Sequence, residues 1–148
     1  MSPAAFLDAN VPMYAVGVPH PLKDPCRQIL TLVGQHPQAF VTNVEVLQEI
    51  IHRYLAQRLW TQGREIFDEF YQLMRERIEA VQAEDVERAA ALADAYPELA
   101  GRDLVHAAVM QRLGVTRIIS ADRGFDRLAD IERLDPAQLE SWRHYVLL

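Results

Sequence analysis

Asp8 and Asp122 each close a short apolar run, Ala4-Ala5-Phe6-Leu7 and Arg117-Ile118-Ile119-Ser120. A strand that delivers a carboxylate at its C-terminal edge places it where parallel α/β sheets bind ligands. If the two strands are neighbours, the carboxylates meet, and carboxylates brought together repel unless a cation lies between them. The pair points to a divalent-metal site. Taken singly, Asp8 could equally close an Asx-turn and Asp122 could cap the short helix that follows it. Asn10, just beyond Asp8, is placed to orient it or to donate to a ligand.

Four further carboxylates bear on this site. Glu45 and Glu49 stand one turn apart and share a helix face. Thr42-Asn43-Val44-Glu45 has the pattern of a capping box, which accounts for Glu45 structurally. Glu49 has no such role and lies beside an apolar stripe, where a carboxylate needs a partner or a metal. Glu49 is therefore the candidate and Glu45 the alternative. Asp103 follows Gly101-Arg102 and leads into Leu104-Val105-His106-Ala107-Ala108-Val109, a run apolar enough to be buried. The helix dipole alone would account for an exposed aspartate there. Asp126 stands four residues after Asp122, a spacing at which two carboxylates destabilise each other without a cation. His106 reads as a core or supporting residue, and no second histidine stands at zinc-ligand spacing. An all-oxygen ligand set selects Mg²⁺ or Mn²⁺. Neither a Gly-rich phosphate loop nor a GxSxG elbow is present.

The elements that must position these residues alternate. Strands are expected at 4–8, 39–42, 78–82, 117–121 and 131–134. Helices are expected at about 22–35, 44–60, 62–76, 85–96, 102–113, 124–129 and 136–142. That order predicts an α/β fold with a mostly parallel sheet. The link 16–25, with Pro19, Pro21 and Pro25, reads as a loop ending at a helix start. Asp135-Pro136-Ala137-Gln138 reads as a helix start, and Gly114 as a helix stop. In 44–60 the apolar stripe runs through Val44, Leu47, Ile51, Tyr54, Leu55 and Leu59; in 62–76 it runs through Ile66, Phe67, Phe70, Leu73 and Met74. Two adjacent amphipathic helices after one strand would form a protruding two-helix arm, a surface for dimerisation or a partner.

Composition bounds the function. A chain of 148 residues, half apolar and a quarter charged, is most simply one domain over 1–148. No apolar run approaches the roughly 20 residues of a membrane helix, and nothing at the N-terminus reads as a secretion signal. With Cys26 alone, a reducing, cytoplasmic setting is expected. A net charge of −6 argues against a broadly basic nucleic-acid binder. It is compatible with a nuclease, because bound cations reverse the local sign of an acidic site. The basic groups Arg53, Arg58 and Arg64, and Arg75 with Arg77, are accounted for as solvated helix faces.

Four segments taken together carry a family resemblance: Phe6-Leu7-Asp8-Ala9-Asn10, Val41-Thr42-Asn43-Val44-Glu45-Val46-Leu47-Gln48-Glu49, Gly101-Arg102-Asp103-Leu104-Val105-His106-Ala107-Ala108, and Ile119-Ser120-Ala121-Asp122-Arg123-Gly124-Phe125-Asp126. In this order and spacing, across nearly the whole chain, they resemble the PIN-domain ribonucleases and, within them, the VapC-like toxins of toxin–antitoxin pairs. The resemblance places the family's acidic positions on Asp8, Glu49, Asp103 and Asp122, with Asp126 as a less regular fifth. Thr42 takes the place of the Ser or Thr that often follows the second strand. What it implies is a small parallel sheet flanked by helices and cleavage of RNA with Mg²⁺ (or Mn²⁺) held by Asp8, Asp103, Asp122 and Asp126. It further implies a homodimer through the helical arm and a cognate antitoxin that blocks the acidic cleft. A PIN-like module that has lost activity and only binds a protein partner is the competing expectation. A receiver-like phospho-acceptor is disfavoured, since it needs a lysine at a late strand end and the only lysine is Lys23.

Overall fold

The computed structural model describes residues 3–147. Its elements are β1 (Ala5–Leu7), α1 (Asn10–Val16), α2 (Lys23–Gln35), β2 (Phe40–Asn43), α3 (Val44–Ala56), α4 (Trp60–Met74), β3 (Ile78–Glu79), α5 (Ala83–Ala95), α6 (Gly101–Leu113), β4 (Arg117–Ile119), β5 (Glu132–Leu134) and α7 (Leu139–Val146). The five strands form one sheet in the order β3-β2-β1-β4-β5, every pair parallel. Helices cover both faces of such a sheet, which is why β1 and β2 are buried along their whole length and read as continuous apolar runs.

The chain winds outward from β1 to β2 and β3, then crosses back to lay β4 on the other side of β1. A switch of this kind opens a crevice at the carboxyl ends of the two central strands. Leu7 pairs with Ile119, so Asp8 leaves the sheet opposite Ser120, with Asp122 two residues further on and lining the same cavity. Phe6, Leu7, Phe40, Ile118 and Ile119 form the floor of the core, with Ile29, Ile50, Ile66 and Phe70 packed over it from the helices.

Several elements differ from expectation, each for a local reason. Helix α1 was not anticipated; its Pro12 is the third helical residue, where the missing N–H has no intrahelical partner to lose. Helix α3 is capped by Asn43, whose side chain accepts from Val46 N at 3.0 Å, and not by Thr42. The Thr42 hydroxyl instead donates to Leu7 O (2.9 Å), tying β2 to β1. Without Thr42 as cap there is no capping box to occupy Glu45. The buried stripe of α3 is Val46, Leu47, Ile50 and Tyr54, whereas Val44, Leu55 and Leu59 are exposed. In α4, Ile66, Phe70 and Met74 are buried as their spacing predicts. The segment expected to be a helix at 124–129 is a 3₁₀ turn over Arg123–Arg127, and 136–142 divides into a 3₁₀ turn, Pro136–Gln138, followed by α7.

Helices α3 and α4 form the two-helix arm. Gly63 lets them close: a Cβ there would lie 2.3 Å from Tyr54 Cβ. Gly114 ends α6 in the left-handed region (φ 72°), the expected helix stop. Among the described residues no helix is long and apolar enough to cross a membrane.

Candidate functional site

The ends of β1 and β4 are laced together by short polar side chains. Asp8 Oδ1 accepts from Ala9 N (2.7 Å), and Asp8 Oδ2 accepts from Ser120 Oγ (2.6 Å) and Asn10 Nδ2 (3.3 Å). Asn10 Nδ2 is also 3.1 Å from Ser120 Oγ, while Asn10 Oδ1 accepts from Ala121 N (3.2 Å). Ser120 Oγ in turn accepts from Asp122 N (3.0 Å). Asn10 thus donates to Asp8, the first of the two roles its position allows. Ser120, to which the sequence reading assigns no role, supplies the hydroxyl at the pivot of the network. Asp122 Oδ1 caps the following turn through Gly124 N (2.9 Å), the local role open to it, and the residue also lines the central cavity.

Glu49 and Asp103 arrive from helices on either side. Glu49 is buried on the inward face of α3, held by Arg102 Nε at 3.2 Å and Arg53 Nε at 3.6 Å. Burial, reinforced by the charge of Asp8, pushes its carboxyl above the usual range despite the two guanidinium groups. Glu45, one turn earlier, is half-buried and does not line the cavity. Asp103, in the first turn of α6, is buried and pushed up to about 8: first by loss of water, then by hydrogen bonding with Asp122 and by the charges of Asp8, Asp122 and Glu49. Burial pushes Asp122 up as well, yet hydrogen bonds from Asp103 and Gly124 N–H hold it below an ordinary aspartate. Of the two, Asp103 is the carboxyl pushed toward the protonated form and Asp122 the one held toward the ionised form.

Asp126 is brought elsewhere. Its carboxylate takes a two-pronged pair from Arg133 (3.0 and 3.2 Å) and stands exposed outside the cavity. Four residues after Asp122, it finds a cation on β5 rather than a shared metal, so the expected repulsion is relieved by a guanidinium.

His106 lies beneath Asp8, fully buried, and burial depresses its basicity so that it stays neutral. Asn43 Oδ1 is occupied by Val46 N, leaving the Asn43 amide N–H₂ to face His106 Nδ1 at 3.1 Å. This network assigns the imidazole proton to Nε2. Nε2 faces Asp8 Oδ1 at 3.8 Å with no closer partner. Asp8, Glu49 and His106 offer ligand atoms within 4.8 Å of one another. A nitrogen that carries its proton is a donor and not a ligand, so the set fitted to a cation is the carboxylates, with His106 supporting Asp8. Buried carboxylates that all offer hard oxygen, one of them pushed up to about 8 by burial and then by its neighbours, fit a hard divalent cation.

The cavity above them has a volume of about 440 Å³ and is lined by Asp8, Glu49, Asp103 and Asp122 at one end. Arg53, Tyr14, His20 and Tyr54 continue its wall, residues whose spacing in the chain carries no signal of their convergence.

A family model for the PIN domain matches residues 5–131. VapC ribonuclease Mb1869c of Mycobacterium bovis is 38% identical over 129 residues, spanning 87% of this chain and 98% of that protein. Ribonuclease VapC23 of Mycobacterium tuberculosis is 41% identical over 120 residues, 79% of this chain and 91% of that one. Among solved structures, Rickettsia felis VapBC2 bound to a promoter DNA fragment superposes with a TM-score of 0.66 at 16% identity, covering 88% of this chain and 97% of that one. FitAcB from Neisseria gonorrhoeae superposes with a TM-score of 0.64 at 18% identity, covering 91% and 99%. At those identities the structural likeness is one of fold.

Proposed function

The chain belongs to the PIN-domain family, and on that premise we propose that it is a metal-dependent ribonuclease of the VapC kind, working through Asp8, Glu49, Asp103 and Asp122. The observation that carries this reading is the convergence of these four carboxylates on one cavity at the sheet's switch point.

Asp8, Asp103 and Asp122 would hold Mg²⁺ or Mn²⁺. When bound, the ion supplies a nucleophilic water at neutral pH for in-line attack on a phosphodiester and offsets charge on the phosphate oxygens. Ser120 and Asn10 hold Asp8 Oδ2, and His106 stands under Oδ1, so the carboxylate is oriented before a ligand arrives. Glu49 is fixed by Arg102 and Arg53 at the same end of the cavity, and its raised basicity suits it to orient the attacking water and take its proton. Full occupancy requires the Asp103 proton to leave, so metal binding competes with protons.

The VapC relationship also supports a cognate antitoxin covering the acidic cavity and a homodimer through the α3–α4 arm. Leu55 and Leu59, exposed at the tip of that arm, are apolar surface available to a partner. The purified protein is expected to cleave RNA with Mg²⁺ or Mn²⁺, to stop on chelation, and to be inactive but folded as Asp8→Asn or Asp103→Asn. Chelator-insensitive cleavage, or full activity in both variants, refutes the assignment. Failure to cut any RNA while binding an antitoxin tightly favours the inactive binding module.

A further inference from the structure

The carboxylates occupy only one end of their cavity. Away from them the wall changes character, from charged to aromatic and amide, between the α1–α2 link and the α3–α4 turn. On one side the Tyr14 and His20 rings pack in a tilted pair, with centroids 4.5 Å apart and planes at 32°. The His20 ring is pinned, because its Nδ1 accepts from Leu22 N at 3.0 Å, and the link itself is tied down by Lys23 Nζ donating to Gly17 O at 2.8 Å. Tyr54, Gln57 and Gln62 line the same cavity. Glu49, Arg53 and Gln57 follow at four-residue spacing along α3 and its C-cap, so Arg53, half exposed, comes between the carboxylate and the amide on one helix face.

We propose that this far end is a nucleobase subsite, which takes the base next to the scissile phosphate of an unpaired RNA strand. The inference rests on the ribonuclease reading of the carboxylates. A flat base stacks on the Tyr14–His20 platform, and stacking on aromatic rings accepts any base because every base has a π-face. Gln57 and Gln62 each present both a donor and an acceptor to the base edge, the groups that discriminate one base from another. Arg53 stands where the backbone joining that base to the reacting phosphate must pass, and a guanidinium there offsets the repulsion between RNA and the acidic end. A base inside a duplex has both faces covered and cannot enter a cavity of this size, so the subsite selects single-stranded or looped RNA.

The test uses short single-stranded oligoribonucleotides with Mg²⁺ and the full chain carrying Asp122→Asn to suppress cleavage, with binding read by fluorescence anisotropy. Replacing one nucleotide at a time with an abasic residue should reveal a single position whose loss weakens binding by roughly tenfold or more. His20→Ala and Tyr14→Ala should weaken binding of the intact strand by a similar factor and abolish the abasic effect, while Tyr14→Phe retains both. His20→Ala alters an exposed ring, so its reading survives even if Tyr14→Ala fails to fold. In the otherwise wild-type chain, His20→Ala should raise KM for cleavage and leave kcat nearly unchanged. Cleavage with no abasic-sensitive position, or binding indifferent to both His20→Ala and Tyr14→Ala, overturns the subsite. Abasic-sensitive binding by a protein that cleaves no RNA supports the subsite and overturns the ribonuclease reading instead.

Discussion

Replacing Asp103 by asparagine should stabilise the metal-free protein while removing its activity. Asp103 keeps its proton up to about 8 in the fold, against 3.8 for an ordinary aspartate. Between those values the folded chain holds a proton that the unfolded chain has released. Stability must therefore fall as pH rises through that window, by about 1.4 kcal/mol per pH unit, and level off above the folded value. From about pH 5 to about pH 7 the loss is roughly 3 kcal/mol, reduced to roughly 1–2 kcal/mol by water at the cavity mouth. Asp122 works in the opposite sense. Its value is depressed, so its contribution is present above the ordinary aspartate range and is lost only as pH falls through its folded value. The amide of Asp103→Asn does not titrate, has the shape of the acid, and can donate to Asp122 as the protonated acid does. Urea unfolding followed by the fluorescence of Trp60 and Trp142, in chelator, should show Asp103→Asn more stable than wild type by a margin that widens from pH 5 to pH 8. Added Mg²⁺ should close the gap by stabilising the wild-type chain alone. A margin that does not change with pH, or a variant less stable than wild type at neutral pH, refutes the reasoning.

Three further outcomes are expected. Asp126→Asn removes the exposed partner of a largely buried Arg133 that keeps Ser120 O and Asp135, so thermal melting should register about 1 kcal/mol and metal-dependent cleavage should persist; loss of cleavage would return Asp126 to the site. Gly63→Ala forces a methyl into Tyr54 and should destabilise the α3–α4 arm by roughly 1–3 kcal/mol in chemical denaturation, against no change if the helices can separate freely. Asp85 is buried, caps α5 through Gln82 N, and is held below the ordinary aspartate range first by its hydrogen bonds from Arg112. Its stabilisation is present above the ordinary aspartate value and disappears as pH falls through the folded one. Asp85→Ala should therefore lower stability at neutral pH by roughly 2–4 kcal/mol and flatten the acid limb of the stability curve.

Much of this was legible without coordinates because it is local. The alternation of apolar runs and amphipathic stretches predicts the α/β order, Gly114 marks a helix end through the left-handed conformation it alone adopts cheaply, and Asp135 caps the turn that follows it through Ala137 N. Asp8 and Asp122 stand out because an acidic residue closing a buried strand needs a reason. Local pattern failed where a neighbour distant in sequence decided. Thr42 and Asn43 are both competent caps, and Thr42 was free to bond Leu7 O only because β1 lies beside β2. Asp126 repeats the spacing of a metal pair, and only the β4–β5 pairing brings Arg133 to its carboxylate.

The sequence by itself determined which groups are available: hard oxygen donors, one histidine read as a core or supporting residue, no second histidine at zinc-ligand spacing, and elements short enough to form a small parallel sheet. The tertiary structure alone decided which of them meet. Sheet order put β4 beside β1, which brought Asp8 and Asp122 to one cavity; α3 and α6 brought in Glu49 and Asp103. The proton that Asp103 retains, the tautomer that Asn43 imposes on His106 and the pairing of Tyr14 with His20 all follow from that convergence. Charge repulsion, desolvation and stacking act over a few ångströms of space, and separation along the chain carries no measure of that distance.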